Sequence, residues 1–207
     1  MINSKSVCPP RISRWVVISW LIGVALWAAL ACPAPYVARA LAEPVISKLQ
    51  LESAYLYNFL LFAHWPEEGQ ASQPATMTVC ILGDEALAEQ FAPIAGKAIK
   101  DSQYTLRIKA IRPPLQATDL EGCVLLFIGQ QAQVSVPEVL AQVKGQPILT
   151  VSNLPNFAAQ GGMLALLEVD GKLRWQVNQA VTEANGLRLD AQLLRNATTV
   201  IKSREGH

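Results

Sequence analysis

Apolar and polar positions divide the chain into segments of different period. Between Ala54 and Ala63 only Asn58 is strongly polar, so apolar side chains would lie all round a helix. Such a helix must bury most of its circumference, in a core or against another molecule. The stretch 51–68, LESAYLYNFLLFAHWPEE, predicts one helix ended by Trp65-Pro66, with Glu67 and Glu68 returning the chain to water. Proline disfavours helical geometry at the residue before it and donates no backbone hydrogen bond. Leu51, Tyr55, Phe59 and Phe62 fall at helical spacing as the face toward a sheet. Tyr57, Leu60, Leu61 and His64 point elsewhere, toward either the C-terminal helices or a second protein.

Downstream the period changes. Met77–Leu82 (MTVCIL) is a short apolar run of strand formers and predicts a buried strand. Gly83-Asp84 ends it and opens a helix from Asp84 to about Ala95, with Asp84 as N-cap, Leu87, Phe91 and Ile94 inward, and Gly96 past the stop. Tyr104–Ile111 alternates, a strand with one wet face, closed by Pro113-Pro114. Gly122–Ile128 (GCVLLFI) is the most apolar strand and belongs at the centre of a sheet. A helix over Pro137–Val143 and a strand over Pro147–Val151 complete an alternation that predicts a mainly parallel, covered sheet.

Met163–Val169 and Lys172–Val177 flank Asp170-Gly171, a strong hairpin signal. A two-residue turn sets Trp175 opposite Leu166 and Val177 opposite Leu164, with Lys172, Arg174 and Gln176 on the other side. Two helices are predicted to finish the chain. Asn178 caps the first, which stops at Gly186. Asp190 caps the second, with Leu189 and Leu194 as a hydrophobic staple and Leu193, Ala197, Val200 and Ile201 inward. The fold class is α/β: a three-layer-like single domain whose mixed, mostly parallel sheet carries a C-terminal β-hairpin and is flanked by helices.

The first 42 residues stand apart. Lys5, Arg11 and Arg14 precede the apolar run Trp15–Ala31, and Ala38-Arg39-Ala40 and Ala40-Leu41-Ala42 supply small-x-small sites. That order is a secretory signal cleaved after Ala40 or Ala42, and it exports the chain. An uncleaved membrane anchor competes with it, as does a lipoprotein reading at Cys32. The domain expectation is a signal peptide over 1–42 and one α/β domain over 43–207, with its core at 51–201. Without the signal, 13 basic face 16 acidic residues, a balance that gives no reason to expect nucleic-acid or anionic-membrane binding. Two cysteines then remain, Cys80 and Cys123. In an oxidising compartment an even pair is a disulfide candidate; two buried free thiols are the alternative.

Motifs that carry chemistry are missing. The sequence holds no GxSxG, HExxH or P-loop lysine, and Gly83-Asp84 lacks the further glycines of a dinucleotide site. His64, with Glu67 or Glu68 to orient it, is the sole start of a hydrolase reading, against a plain imidazole at a helix end. No cofactor or metal set is expected, since there is no CxxC and only His64 and His207 could join the cysteines. Ser152, Asn153, Asn156, Gly161 and Gly162 form a turn-rich loop at the carboxyl end of a strand. There α/β sheets tend to bind ligands, although an ordinary connection fits as well. Tyr57, Leu60, His64 and Trp65 are candidates for a partner-facing margin of the first helix.

Several runs are familiar in combination: AYLYNFLLFAHWP, VCILG, PILTVSNLPNFAAQGGML, LRWQVNQA and LRLDAQLLRNATTV. Together they resemble the YfiR family of exported bacterial proteins, over about Leu51 to Ile201. The resemblance implies a periplasmic α/β repressor without chemistry of its own. Such a repressor binds the periplasmic sensor part of an inner-membrane diguanylate cyclase and lowers cyclic-di-GMP, and with it biofilm formation. In some systems an outer-membrane lipoprotein sequesters it. It also implies a cysteine pairing that falls on Cys80 and Cys123. A sensor kinase in place of the cyclase, a second copy of the chain, and a small-molecule receptor role for the loop 152–162 are the other expectations.

Overall fold

The computed structural model describes residues 47–66, 76–99 and 104–202. In chain order the elements are α1 (Lys48–Phe62), β1 (Ala63–His64), β2 (Thr76–Leu82), α2 (Glu85–Phe91), β3 (Ala98–Ile99), β4 (Tyr104–Ile111) and β5 (Cys123–Ile128). Then come α3 (Val136–Val143), β6 (Leu149–Ser152), β7 (Leu164–Val169), β8 (Lys172–Asn178), α4 (Gln179–Ala184), β9 (Arg188–Leu189), α5 (Ala191–Arg195) and β10 (Thr199–Ile201). Among the described residues, eight strands form one sheet in the order β10-β8-β7-β6-β5-β2-β4-β3, and β1 pairs with β9 in a separate ribbon. The middle of the sheet is parallel, while β3–β4 and β7–β8 are antiparallel. This is the mixed α/β architecture expected from the alternation of strands and helices.

The sheet separates two apolar cores. On one side α1, α2 and α5 pack over Val79, Ile81, Leu125, Phe127 and Leu164. On the other, α3 covers Cys80, Leu82, Leu126 and Ile128. β5 lies inside the sheet, as its unbroken apolar run requires. Cys80 and Cys123 form a disulfide within the second core, with Cα atoms 5.9 Å apart. Closing a loop across a sequence separation of 43 stabilises the fold by about 4 kcal/mol if chain entropy dominates. The hairpin has the predicted register, Leu166 opposite Trp175 and Leu164 opposite Val177. Asp170 and Gly171 both have positive φ, 50° and 68°, the geometry that matches the twist of the flanking strands.

Three expectations are corrected. The first helix ends at Phe62, ahead of Trp65-Pro66. Ala63 is already extended, because Ala63–His64 pairs with Leu189–Arg188 and the Asp190 N–H donates to the Phe62 carbonyl at 2.8 Å. A tertiary strand pair therefore stops the helix before the proline can. The second helix ends at Phe91 and continues as a 3₁₀ turn, Ala92–Ile94, since Pro93 has no N–H to offer an α-helix. The last helix stops at Arg195, and Thr199–Ile201 instead runs parallel to β8. Thr198, Thr199, Val200 and Ile201 are all β-branched, which suits a strand. The N–H of Thr198 begins that pairing by donating to the Trp175 carbonyl at 2.9 Å.

Leu60, expected to face either the C-terminal helices or a second protein, is 0% exposed and belongs to the core with Leu56, Phe59 and Leu193, which removes it from the partner-facing candidates. Conversely Leu51, Tyr55 and Phe62 are half-buried. The true inward row is set one residue round from the expected one, at Glu52, Leu56, Phe59, Leu60 and Ala63. The signal peptide and the residues Glu67 and Glu68 lie outside the described residues. Leu60→Ala should cost about 2–5 kcal/mol of unfolding free energy in urea titration. A loss below about 1 kcal/mol would mean that this helix face is not core.

Candidate functional site

The helix α1 starts from a capping box. Ser47 Oγ accepts from the Gln50 N–H at 3.2 Å, and Gln50 Oε1 accepts from the Ser47 N–H at 2.8 Å. S-x-x-Q is a helix-start signal that the sequence displays and that places the first turn upstream of Leu51. Tyr55 and Phe59 then seat the helix on the hairpin. Their rings lie 5.2 and 5.9 Å from the Trp175 ring, and the Tyr55 hydroxyl donates to the Leu173 carbonyl at 3.1 Å.

Past the helix, the β1–β9 ribbon carries His64 opposite Arg188. His64 is exposed, and Tyr57 and Trp65 are half-buried. The Trp65 indole donates to the Val124 carbonyl at 3.3 Å. Val124 is the residue that the β2–β5 ladder skips, since Thr78 pairs with Cys123 and Val79 with Leu125. An aromatic residue thus ties the ribbon to a bulge in a central strand. Of the four expected partner-facing residues, Tyr57, His64 and Trp65 keep accessible surface and Leu60 does not. Among the described residues no group of three or more His, Cys, Asp and Glu side chains is placed to hold a metal.

The expected ligand loop is largely occupied with itself. Ser152 is buried; its hydroxyl donates to the Ile128 carbonyl at 2.6 Å and accepts from the Leu154 N–H at 3.0 Å. Gly162 is required by packing, because a Cβ there would lie 2.1 Å from the Phe157 ring. Asn156 has positive φ, and Gly161 lines a cleft with Leu140, Met163 and Val181. Asn153 reaches back to α1, its Nδ2 donating at 3.1 Å to Oε1 of Glu52. Sequence reasoning missed Glu52, which is 1% exposed. The signal for it was an acid on a helix that must bury most of its surface. Burial pushes the Glu52 carboxyl above its ordinary pKa, while the Asn153 bond and Lys48 oppose that and Asp84 adds to it. The buried Oδ1 of Asn153 has no hydrogen-bond partner.

A YfiR/HmsC-like family model matches residues 49–198. The chain belongs to that family. At the family level these are periplasmic regulators of diguanylate cyclase signalling, not enzymes, that act with a membrane-bound partner. No curated protein matches the chain. Among solved structures, the ABC domain from Streptococcus pneumonia in complex with L-Trp is similar at 11% identity and TM-score 0.46, covering 64% of this chain and 57% of that one. A conserved domain protein from Vibrio cholerae O1 biovar eltor is similar at 12% identity and TM-score 0.46, covering 74% and 60%. The chain therefore spans less than two thirds of either solved chain.

In this YfiR/HmsC-like domain Glu52 makes stability depend on pH in a definite direction. A carboxyl whose folded pKa is raised favours the neutral form, so its charging costs stability as pH rises past the unfolded value of about 4.3. The cost is complete once pH exceeds the folded value. Glu52→Gln removes that charge and supplies an N–H donor beside the Asn153 oxygen. The variant should be more stable than the parent at pH 8 and converge with it by pH 4 in paired denaturation curves. An equal gain at both pH values would contradict the assignment.

Proposed function

We propose that this chain is a periplasmic repressor that binds the sensor domain of an inner-membrane diguanylate cyclase and thereby lowers cyclic-di-GMP synthesis. The observation that carries this reading is the family match across 49–198, nearly the whole of the described fold. Repression requires differential binding, because a ligand with equal affinity for both conformations of its partner shifts nothing. The partner-facing margin that fits is the end of α1 and the ribbon: Tyr57, His64 and Trp65, which keep accessible surface beside a fully buried row. An outer-membrane lipoprotein that competes for the same margin would relieve repression without any chemistry on this chain. Export by the N-terminal segment, cleaved after Ala40 or Ala42, belongs to the same reading.

Deleting the gene should raise cellular cyclic-di-GMP, and complementation with the parent chain should restore it. His64→Glu, at an exposed position, should leave the thermal midpoint within ~4 °C of the parent, as surface changes do, whereas Tyr57→Glu, at a half-buried ring packed against the core, should lower it further while the chain still folds. Both should fail to complement and fail to retain the cyclase in a membrane pull-down. Unchanged cyclic-di-GMP in the deletion strain across growth phases would remove the cyclase reading. Full complementation by both variants would move the interface elsewhere.

A further inference from the structure

Between α1 and α5 the surface opens into a cleft of about 320 Å³, at the small end of ligand sites, which run from roughly 300 to 1,000 Å³. Its walls are the rings of Tyr55, Phe59, Phe62 and Trp175. The polar ends of two of them are already engaged: the Tyr55 hydroxyl on the Leu173 carbonyl and the Trp175 indole N–H on the Leu193 carbonyl, each at 3.1 Å. What these rings leave for a ligand is apolar surface held in a fixed orientation, so little ordering remains to be done on binding.

The rest of the lining is of a different kind. Asn58, Gln192 and Asn196 present three exposed carboxamides around the aromatic wall. Among the described residues none of these side chains hydrogen-bonds elsewhere in the chain. Each offers both donors and an acceptor. Among the described residues no Asp, Glu, Lys, Arg or His lines the cleft. A phosphate, a carboxylate or an ammonium would therefore be drawn from water with no opposite charge to meet it. A wholly apolar plug would in turn strip water from three amides and return no bonds.

We propose that this cleft is a binding site for an uncharged sugar ring, its apolar face against the aromatic wall and its hydroxyls on Asn58, Gln192 and Asn196. A pyranose has one face of C–H groups, and hydroxyls at its edge that both donate and accept, the complement of a ring wall edged by carboxamides. The site stands independently of the repressor reading.

The test is ligand-observed NMR and calorimetric titration of the full chain with cellobiose, maltose and N,N′-diacetylchitobiose, each to about 10 mM, since sites of this size with few bonds bind near the millimolar level. Saturable binding of at least one disaccharide is expected. Asn58→Ala and Gln192→Ala, on different helices and both exposed, should each weaken it, by up to about tenfold. Two separate variants keep the test open if one fails to fold. Binding by none of the three sugars would overturn the proposal. So would binding that both folded variants leave unchanged.

Discussion

The fold depends most on the seat of α1 over the hairpin, where Tyr55, Phe59 and Trp175 meet. The three rings lie 5.2 to 6.1 Å apart in tilted and edge-on arrangements, contacts worth about 0.5–1.5 kcal/mol each beyond their buried area. Their larger effect is on topology. The Tyr55 hydroxyl bonds a carbonyl 118 positions along the chain, and the Trp175 indole bonds Leu193 in α5. One aromatic residue thus joins the first helix, the hairpin and the last helix. Its orientation is set in turn by the Asp170-Gly171 turn, because a slip of one residue in β8 would move Trp175 to the opposite face. The position of a helix near one end of the domain therefore rests on the geometry of two residues near the other.

Much of this was legible in the sequence, for physical reasons that also explain the misses. The Asp-Gly turn set the hairpin of β7 and β8 and its register, because a turn signal is local. Asp84, Asn178 and Asp190 cap the helices they precede, accepting from Leu87, Val181 and Gln192; a cap needs only residues within one turn. Pro93 and the Ser47–Gln50 capping box were local signals left unread; the other misses are tertiary. Nothing near Phe62 says that Ala63 will pair with Leu189, and the β-branched run at Thr199 becomes a strand only because β8 offers it an open edge. The face of α1 was misjudged for a similar reason. On a helix apolar all round, spacing cannot tell Leu56 and Leu60 from Tyr55 and Leu61. The sheet beneath makes that choice. Of the candidate site, the aromatic residues were visible and Glu52 was not, since its burial depends on Asn153 arriving from a loop 101 positions away.

Consecutive residues at the start of β5 serve opposite sides of the sheet. Cys123 turns into the second core and closes the disulfide with Cys80, while the carbonyl of Val124 accepts from Trp65 on the ribbon side. This follows from the bulge, where one residue of β2 spans two of β5 and leaves Val124 out of the ladder. In an uninterrupted ladder that carbonyl would serve a neighbouring strand.

Burial of Leu60 narrows where a partner can act. With Leu56, Phe59, Leu60 and Ala63 committed to the core, the apolar surface the helix still offers comes from half-buried side chains, Tyr57 among them and Tyr55 and Phe62 at the cleft. The ribbon is short, two residues on each side, and its ties run inward through the Phe62 carbonyl and the Trp65 indole. A protein seated on His64 and Trp65 would bear on a ribbon that the Trp65 indole ties to β5. The sugar-sized cleft lies on the same helix, lined by Asn58 and Phe62 next to Tyr57 in sequence. An occupant of the cleft and a protein on the margin would share α1, and any coupling between them would have to pass through those adjoining side chains.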